Sequence, residues 1–330
     1  MSLRVLRGME EWRAEERRWA GPPGTPRRTG LAIGNFDGVH AGHQSILRRV
    51  IEWARQSETM ATAVTFDPHP LKILRPEHAP ALLSTLAQRL RWMEELGMEA
   101  ALVLPFTKEL AAVTAEEFVE VMLAGVLHAE RIFVGDNFRF GHRHAGDVRL
   151  LQSLAEKFHY GVEIVAPVTM GGEIVSSTSV RRAVTAGHMD VAARLLGRPY
   201  SLTGRVVSGT GRGRREVVPT LNLEQEQEVL PARGVYATET RIGEEWHRSV
   251  SNVGVRPTFD GGPVTVESNL LDFKVEMPAE RIEVRFWKRL RGEQKFASAD
   301  ELKEQIGKDI RQTRGFFRHL ARVKRTQRSA

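Results

Sequence analysis

The stretch Gly30-Leu-Ala-Ile-Gly-Asn-Phe-Asp-Gly-Val-His-Ala-Gly-His43 decides how this chain is read. Leu31 to Ile33 form a short, unbroken apolar run, which reads as a buried strand. Gly34, Asn35, Asp37 and Gly38 then supply turn chemistry. From Gln44 onward, Ile46, Leu47, Val50, Ile51 and Ala54 recur at helical spacing. A strand therefore runs through a glycine-rich turn into a helix, with His40 and His43 at the junction. Being three residues apart, the histidines share one face of the first helical turn. Gly42 between them carries no side chain to block a ligand. The open N–H groups and positive dipole end of a helix N-terminus suit a phosphate.

Outward from this unit, strands and helices alternate. Residues 1 to 20 read as a strand and short helix, and Gly21 to Arg28 as a loop. Ala61 to Phe66 is a second buried strand, ended by the turn Asp67-Pro68-His69-Pro70. Ser84 is expected to cap a helix that runs to Leu96 and stops at Gly97. Ala100 to Leu104, Arg131 to Val134 and Val162 to Val165 follow as strands. Thr114 to Glu117 is a capping box opening a helix to about Leu127, and Gly146-Asp147 opens another to Phe158. This alternation predicts a doubly wound parallel sheet, whose ligands bind at the carboxyl ends of its strands. His40, His43, Asp67, Asp136 and Ser176 all fall there. Val134-Gly-Asp-Asn-Phe-Arg-Phe-Gly141 is another strand end entering a glycine turn; it reads equally as a plain loop or, through Asn137 and Arg139, as a ligand contact. In Ser176-Ser-Thr-Ser-Val-Arg-Arg182 the hydroxyls of Ser176, Ser177 and Thr178 precede a helix. They make a cap and an anion cradle, with Arg181 and Arg182 one turn further in.

After Pro199 the texture changes to short β-rich runs with glycine and proline between them: Ser201 to Ser208, Gly234 to Arg241, Ser249 to Val255, Val264 to Phe273 and Arg281 to Phe286. Strands at this spacing without intervening helices predict an antiparallel barrel. Asp300 is expected to cap a final helix, Leu302 to about Leu320. The boundary falls near residue 187, give or take ten, giving domains of residues 1–187 and 188–330. The barrel has its own string, Gly204 to Asn222, rich in glycine and arginine. Backbone N–H groups around Gly209, Gly213 and Arg214 can cradle phosphate. Thr220 and Asn222, two apart, share a face on an extended chain, and their oxygens suit magnesium. From spacing alone the same string also reads as an ordinary barrel loop. Glu267, between Val266 and Ser268, is either an exposed-face carboxylate or a general base.

The totals narrow the classes. At 330 residues with 41% apolar content, two ordinary domains are expected. The absence of cysteine excludes disulfides, thiolate chemistry and cysteine metal sites, and fits a reducing cytoplasm. No apolar run reaches membrane-spanning length, and no signal-peptide core opens the chain, so a cytoplasmic location without membrane contact is expected. A net charge of +7 suits anionic partners. Basic residues are scattered and no nucleic-acid motif is present, so phosphorylated small molecules are favoured over nucleic acid.

The string from Gly34 to His43 resembles the signature of the nucleotidyltransferase superfamily that transfers adenylyl or cytidylyl groups. Taken with Ser176 to Arg182 and with Gly204-Arg205 followed by Pro219-Thr-Leu-Asn222, nearly the whole chain resembles the bacterial bifunctional riboflavin kinase and FAD synthetase family. The resemblance implies an N-terminal Rossmann-like α/β domain that adenylylates FMN to FAD. It also implies a C-terminal barrel with a terminal helix that phosphorylates riboflavin to FMN, each step using ATP and Mg2+. His40 and His43 would meet the adenylyl phosphates. Gly34, Phe36, Asp37, Gly38, Gly42, Ser176, Ser177, Thr178, Arg181 and Arg182 would serve the nucleotide. Asp67, Pro68, Asn137 and Arg139 would serve the flavin. In the barrel Gly209, Gly213 and Arg214 would hold phosphate, Thr220 and Asn222 the metal, and Glu267 would take the proton of the riboflavin hydroxyl. A monomer or weak homo-oligomer is expected. The chain departs from the family in the kinase half: Glu216-Val-Val218 replaces Leu-Gly-Phe, Leu221 an alanine, Asn269 a histidine, and Val275-Glu-Met-Pro278 a Leu-Tyr-Gly turn. These departures define an alternative, an FAD synthetase whose kinase half is a weak or inactive flavin-binding module.

Overall fold

The strands of the first half are apolar on both faces, as strands covered by helices on both sides must be. The computed structural model describes residues 2–19, 26–207, 220–255, 264–271 and 280–328. Gly209, Gly213 and Arg214, like Glu216 to Val218 and Val275 to Pro278, lie outside the described residues. The chain divides into two compact units, Met1–Ser177 and Thr178–Ala330.

In the first unit, strands β1 (Arg4–Arg7), β2 (Thr29–Ile33), β3 (Met60–Asp67), β4 (Ala100–Pro105), β5 (Ala129–Gly135) and β6 (Gly161–Val165) form one sheet. Their spatial order is β1-β4-β3-β2-β5-β6, with every neighbouring pair parallel. Chain order reverses at β2, which puts the crevice of a doubly wound sheet at its carboxyl end, where Gly34 begins. Leu31, Ile33, Met60, Val64 and Leu102 face one side. There they pack with Trp12 of α1 (Gly8–Trp19) and with Phe118, Val119 and Leu123. Ala32, Ala61, Ala63 and Ala101 face the other side, under Leu47, Val50 and Ile51 of α2 (Ala41–Gln56) and Trp92 and Met93 of α3 (Leu86–Leu96). Alanines on that face let the two helices seat close to the sheet.

Two local expectations are corrected, and one expected helix takes an unusual pitch. The cap of α3 is Thr85, not Ser84; Thr85 and Gln88 form the reciprocal capping box. Ser84 is unavailable because its hydroxyl is bonded to Asp37 and Gly38. The helix opened by the Thr114 capping box becomes a π-helix over Phe118–Val126, closed by Leu127 N–H to Met122 O at 2.9 Å. Over nine residues an apolar pattern does not separate that pitch from the α-helical one. The last helix begins at Ala299, with Ser298 rather than Asp300 as its cap: Ser298 Oγ accepts from Glu301 N–H, and Glu301 reaches back to Ala297 N–H.

In the second unit, helices α4 (Ser177–Thr185) and α5 (Met189–Leu196) lead into β7 (Tyr200–Val207), β8 (Leu221–Gln225), β9 (Gly234–Ile242), β10 (Glu245–Val255), β11 (Val264–Leu270) and β12 (Arg281–Arg291). These close into an antiparallel barrel in the order β7-β8-β11-β10-β9-β12. β8 has no expected counterpart; its sequence, Leu-Asn-Leu-Glu-Gln, carries no β-branched residue. The final helix α6 (Ala299–Arg328) is anchored by the pair of half-buried Arg291 and buried Asp309 at 2.8 Å, which Gln305 also joins.

Candidate active sites

Helix α2 starts where β2 ends, and His40 is its cap. His40 Nδ1 accepts from the His43 backbone N–H at 3.3 Å. With Nδ1 so used, the neutral ring carries its proton on Nε2. The rings of His40 and His43 stack at 3.7 Å with 19° between their planes, and Phe36 meets His43 edge-on at 5.3 Å. Two imidazoles thus stand together at the N-terminus of a helix of sixteen residues, where backbone N–H groups and the dipole both favour an anion. Gly42 also suits the packing of this group: a Cβ there would lie 3.2 Å from the His40 ring and 3.4 Å from Val175 O, a tight fit that the ring would have to relieve by a small shift.

The turn that delivers the histidines is backbone-strained. Phe36, Gly38 and Val39 have φ of 49°, 79° and 38°. Glycine accepts this readily; a β-branched valine does not. Burial of Phe36 and Val39 and the bond from Val39 N–H to Phe36 O hold the shape. Asp37 is the main clamp. Its carboxylate, 4% exposed, accepts from the backbone N–H groups of Leu83 and Ser84 and from the Ser84 hydroxyl at 3.0 to 3.1 Å. The same Ser84 oxygen accepts from Gly38 N–H at 2.8 Å. Asp37 is therefore spent on shaping the turn, and what it offers a ligand is the position of its backbone. Ser177 Oγ donates to Asp37 O at 3.0 Å, so the turn and the serine-rich stretch, 140 residues apart in sequence, are bonded directly.

The strand end at Asp67-Pro68 lies beside this turn, since β2 and β3 are paired up to Ile33 and Val64. Asn35 and His69 side chains meet across it at 3.2 Å. Asn137 and Arg139 are exposed just beyond β5, as is Asp136. Thr178 and Arg182 are exposed on α4, and Ser176 and Arg181 are half-buried.

In the barrel, strand register builds a second group. Asn222 of β8 and Asn252 of β10 both stand opposite Glu267 of β11. The three side chains share one rung and one face, opposite to the buried Val266 and Ser268. Thr220 lies exposed just before β8, two residues from Asn222. A carboxylate flanked by two carboxamides, with a hydroxyl nearby, offers hard oxygen donors and a base. Among the described residues no three His, Asp or Glu side chains cluster as a dedicated metal cage.

No sequence signal marks the roles of Ser84 and Arg89, and Asn252, which opens the string Asn252 to Thr258 that accompanies the barrel motif, carries none for its place beside Glu267. Ser84 and Arg89 belong to a helix start that reads as ordinary capping, and Asn252 is joined to Glu267 only by register.

The FAD synthetase family model matches residues 23–179, and the riboflavin kinase model matches residues 196–317. The bifunctional riboflavin kinase/FMN adenylyltransferase of Escherichia coli K12 is 38% identical over 288 residues, covering 87% of this chain and 92% of its own. The protein of the same description from Pseudomonas fluorescens is 38% identical over 310 residues, covering 93% and 96%. A solved structure from Streptococcus pneumoniae, described as a macrolide-efflux protein, superposes with a TM-score of 0.81 at 30% identity, covering 94% of this chain and 98% of that one. That description disagrees with the other comparisons. The family models and sequence relatives carry more weight, because they agree with each other and with the two sites. No helix among the described residues is long and apolar enough to cross a membrane. With matched domains in the same order along nearly its whole length, the chain belongs to the bifunctional riboflavin kinase/FMN adenylyltransferase family.

Proposed function

We propose that this chain makes FAD from riboflavin in two ATP-dependent steps, one in each half. The observation that carries the reading is the stacked His40–His43 pair at the N-terminus of α2, at the switch point of the sheet. In the adenylyl step an oxygen of the FMN phosphate attacks the α-phosphorus of ATP, and pyrophosphate leaves. The histidines and the helix N-terminus donate to phosphate oxygens as negative charge shifts onto the leaving group. No covalent enzyme intermediate is needed; positioning and preorganised donors supply the catalysis. Phe36, Gly38 and Gly42 shape the nucleotide side with Ser176 to Thr178 and Arg181 or Arg182. Asp67, Pro68, Asn137 and Arg139 serve the flavin side.

In the kinase step Glu267 takes the proton from the terminal hydroxyl of riboflavin as that oxygen attacks the γ-phosphorus of ATP; the bond from that phosphorus to the bridging oxygen breaks and ADP leaves. Thr220 and Asn222 fit a magnesium ion: both present neutral hard oxygens, and one or two such ligands suffice when phosphates complete the shell. The ion, when bound, neutralises charge on the ATP phosphates. Gly209, Gly213 and Arg214 serve the phosphates of the same nucleotide. The domains are residues 1–187 and 188–330, and the enzyme works in the cytoplasm as a monomer or weak homo-oligomer.

Incubating the protein with riboflavin, ATP and Mg2+ and resolving flavins by chromatography tests this. FMN should appear first and FAD after it, with pyrophosphate. FAD made from supplied FMN, but no FMN from riboflavin at any ATP concentration, would leave only the first step and make the barrel a flavin-binding module.

A further inference from the structure

Beyond Ile33 and Val64, β2 and β3 part. One strand bends into the Gly34–Val39 turn, and the other runs on to Asp67. Gly34 N–H makes the last ladder bond, to Val64 O at 3.0 Å. The carbonyls beyond it, Asn35 O and Phe66 O, lose their ladder partners at a half-buried position and need donors. Both accept from a single nitrogen. Arg89 Nη1, reaching in from α3, lies 2.8 Å from Asn35 O, 3.3 Å from Phe66 O and 3.3 Å from Thr65 Oγ1. Its Nη2 lies 3.5 Å from Asp67 Oδ1. The residue is 4% exposed, and its Nε has no hydrogen-bond partner. Burial pulls its pKa below the usual arginine value, while the charges of Asp37 and Asp67 oppose that shift.

We propose that Arg89 is a positioning residue that sets the distance between the turn carrying the phosphate-binding histidines and the strand end Phe66–Pro68 on the flavin side. This rests on the adenylyl-transfer reading of the site given above. Beyond Gly34 no ladder bond joins β2 to β3, so the separation of the two strand ends must there be fixed by side chains. Thr65 Oγ1 also donates to Asn35 O at 3.3 Å and Asn35 meets His69, but among the described residues only the planar, charged fork of Arg89 joins Asn35 O, Phe66 O and Asp67 at once. The two substrates have to meet within reacting distance across that separation. An error of about 1 Å in such an alignment costs on the order of a hundredfold in rate.

The test compares Arg89→Met and Arg89→Lys with the wild type in the full-length protein. Riboflavin phosphorylation in the same sample serves as the control that the chain is intact. Arg89→Met keeps the stem and removes every donor; it should raise the KM for FMN about tenfold and lower kcat for FAD formation. Arg89→Lys keeps a cation and three donors but cannot hold the carbonyls and Asp67 together. It should fall between the two, with the KM for FMN raised about threefold. A role in stability alone reduces the amount of folded enzyme, and so the apparent kcat, and leaves the KM for FMN unchanged. A wild-type KM for FMN in Arg89→Met therefore overturns the proposal whatever happens to kcat. If Arg89→Met makes no FAD because the first half does not fold, Arg89→Lys decides by the same criterion: a raised KM supports the strut, and a wild-type KM overturns it. Failure of the underlying reading is distinguishable, because the wild type itself would then make no FAD from FMN.

Discussion

In the first half the sheet interior is mostly apolar, its buried hydroxyls stand singly, as Thr62 does on Met60 O, and the polar groups of the site gather at strand ends, whereas in the barrel hydroxyls lie together inside the wall itself. Thr238, Ser249, Thr240, Ser268 and Ser251 are each fully buried and bonded in a closed ring, with oxygens 2.7 to 2.8 Å apart. Each hydroxyl can donate once and accept once around the ring, so the group satisfies itself. The parallel sheet holds no such device; its ladder ends at Ile33 and Val64, and Asp37, Ser84 and Arg89 take over there. The difference bears on function. A site at the end of a ladder is made from a continuous stretch of chain, which becomes one readable string. A group on the face of a barrel is made one residue per strand, as with Asn222, Glu267 and Asn252, and Gly209, Gly213 and Arg214, proposed above to serve phosphate, lie outside the described residues.

The comparison breaks if the halves do not act separately. His43→Ala should cut FAD formation from FMN a hundredfold or more, since losing one donor to transition-state charge costs about 3 to 4 kcal/mol, and FMN formation should be unchanged. Glu267→Gln should abolish FMN formation and leave FAD formation from FMN intact. Product chromatography on both variants reads both steps. If either variant loses both products, the two sites depend on each other and the separation is wrong.

Next in size is the clamp under the histidine turn. Asp37→Ala leaves the N–H groups of Leu83 and Ser84 buried without their acceptor and frees a strained turn. Losing charge-assisted bonds of this kind costs about 3 kcal/mol. FAD formation should disappear on heating well before it does in the wild type, while kinase activity persists to its usual temperature. Equal thermal loss of the two activities would mean that Asp37 is not specific to the first half.

How far the sequence could be read follows the same division. The Gly30 to His43 string sets strand, turn, helix and both histidines, because each step is local: an apolar run, turn residues, then a 3.6-residue period. Its strain is not legible; Val39 at positive φ breaks the local rule and is held by burial and by Ser84, far along the chain. Ser84 reads as a cap only because serine before a helix usually is one, and Thr85 beside it serves equally well. Arg89 gives no signal, since an arginine in an amphipathic helix normally faces water. In the barrel the strands are legible by alternation, yet neither β8 nor the Asn222–Glu267–Asn252 rung is. Register joins strands by turn lengths that no residue pattern states.

The hydroxyl ring gives a smaller, sharper test. Thr240→Val preserves shape and removes one hydroxyl, which leaves Ser249 and Ser268 one bond short in a site without exposure. That should cost about 1 to 3 kcal/mol and lower the denaturation midpoint of the barrel half, with FAD formation from FMN keeping its stability. Replacing further ring members with apolar residues of matching shape should then cost less per residue than the first replacement, because no orphan remains. Additive losses would show that the hydroxyls act singly and not as a ring.

The smallest effect lies at alkaline pH and separates two tyrosines that resemble each other. Tyr160 in the first half donates to Leu151 O at 2.7 Å, and Tyr236 in the barrel donates to Ala232 O. Burial pushes both phenols up to about 12, with the positive charge of Arg289 opposing the shift at Tyr236. A phenol whose folded pKa is raised holds its proton longer when folded than when unfolded. Its contribution to stability is fully present below pH of about 10 and is lost as pH rises towards about 12. Tyr236→Phe should lower barrel stability slightly at neutral pH by removing the bond to Ala232, about 1 kcal/mol. It should also flatten the alkaline fall of the barrel half and leave that of the first half, to which Tyr160 contributes, as it was. Lysines and arginines titrate over the same range in both proteins, so the readout is the difference between variant and wild type for each activity. An unchanged alkaline slope for riboflavin phosphorylation in Tyr236→Phe would mean that the buried phenol near Gly187 and Arg289 does not couple to barrel stability.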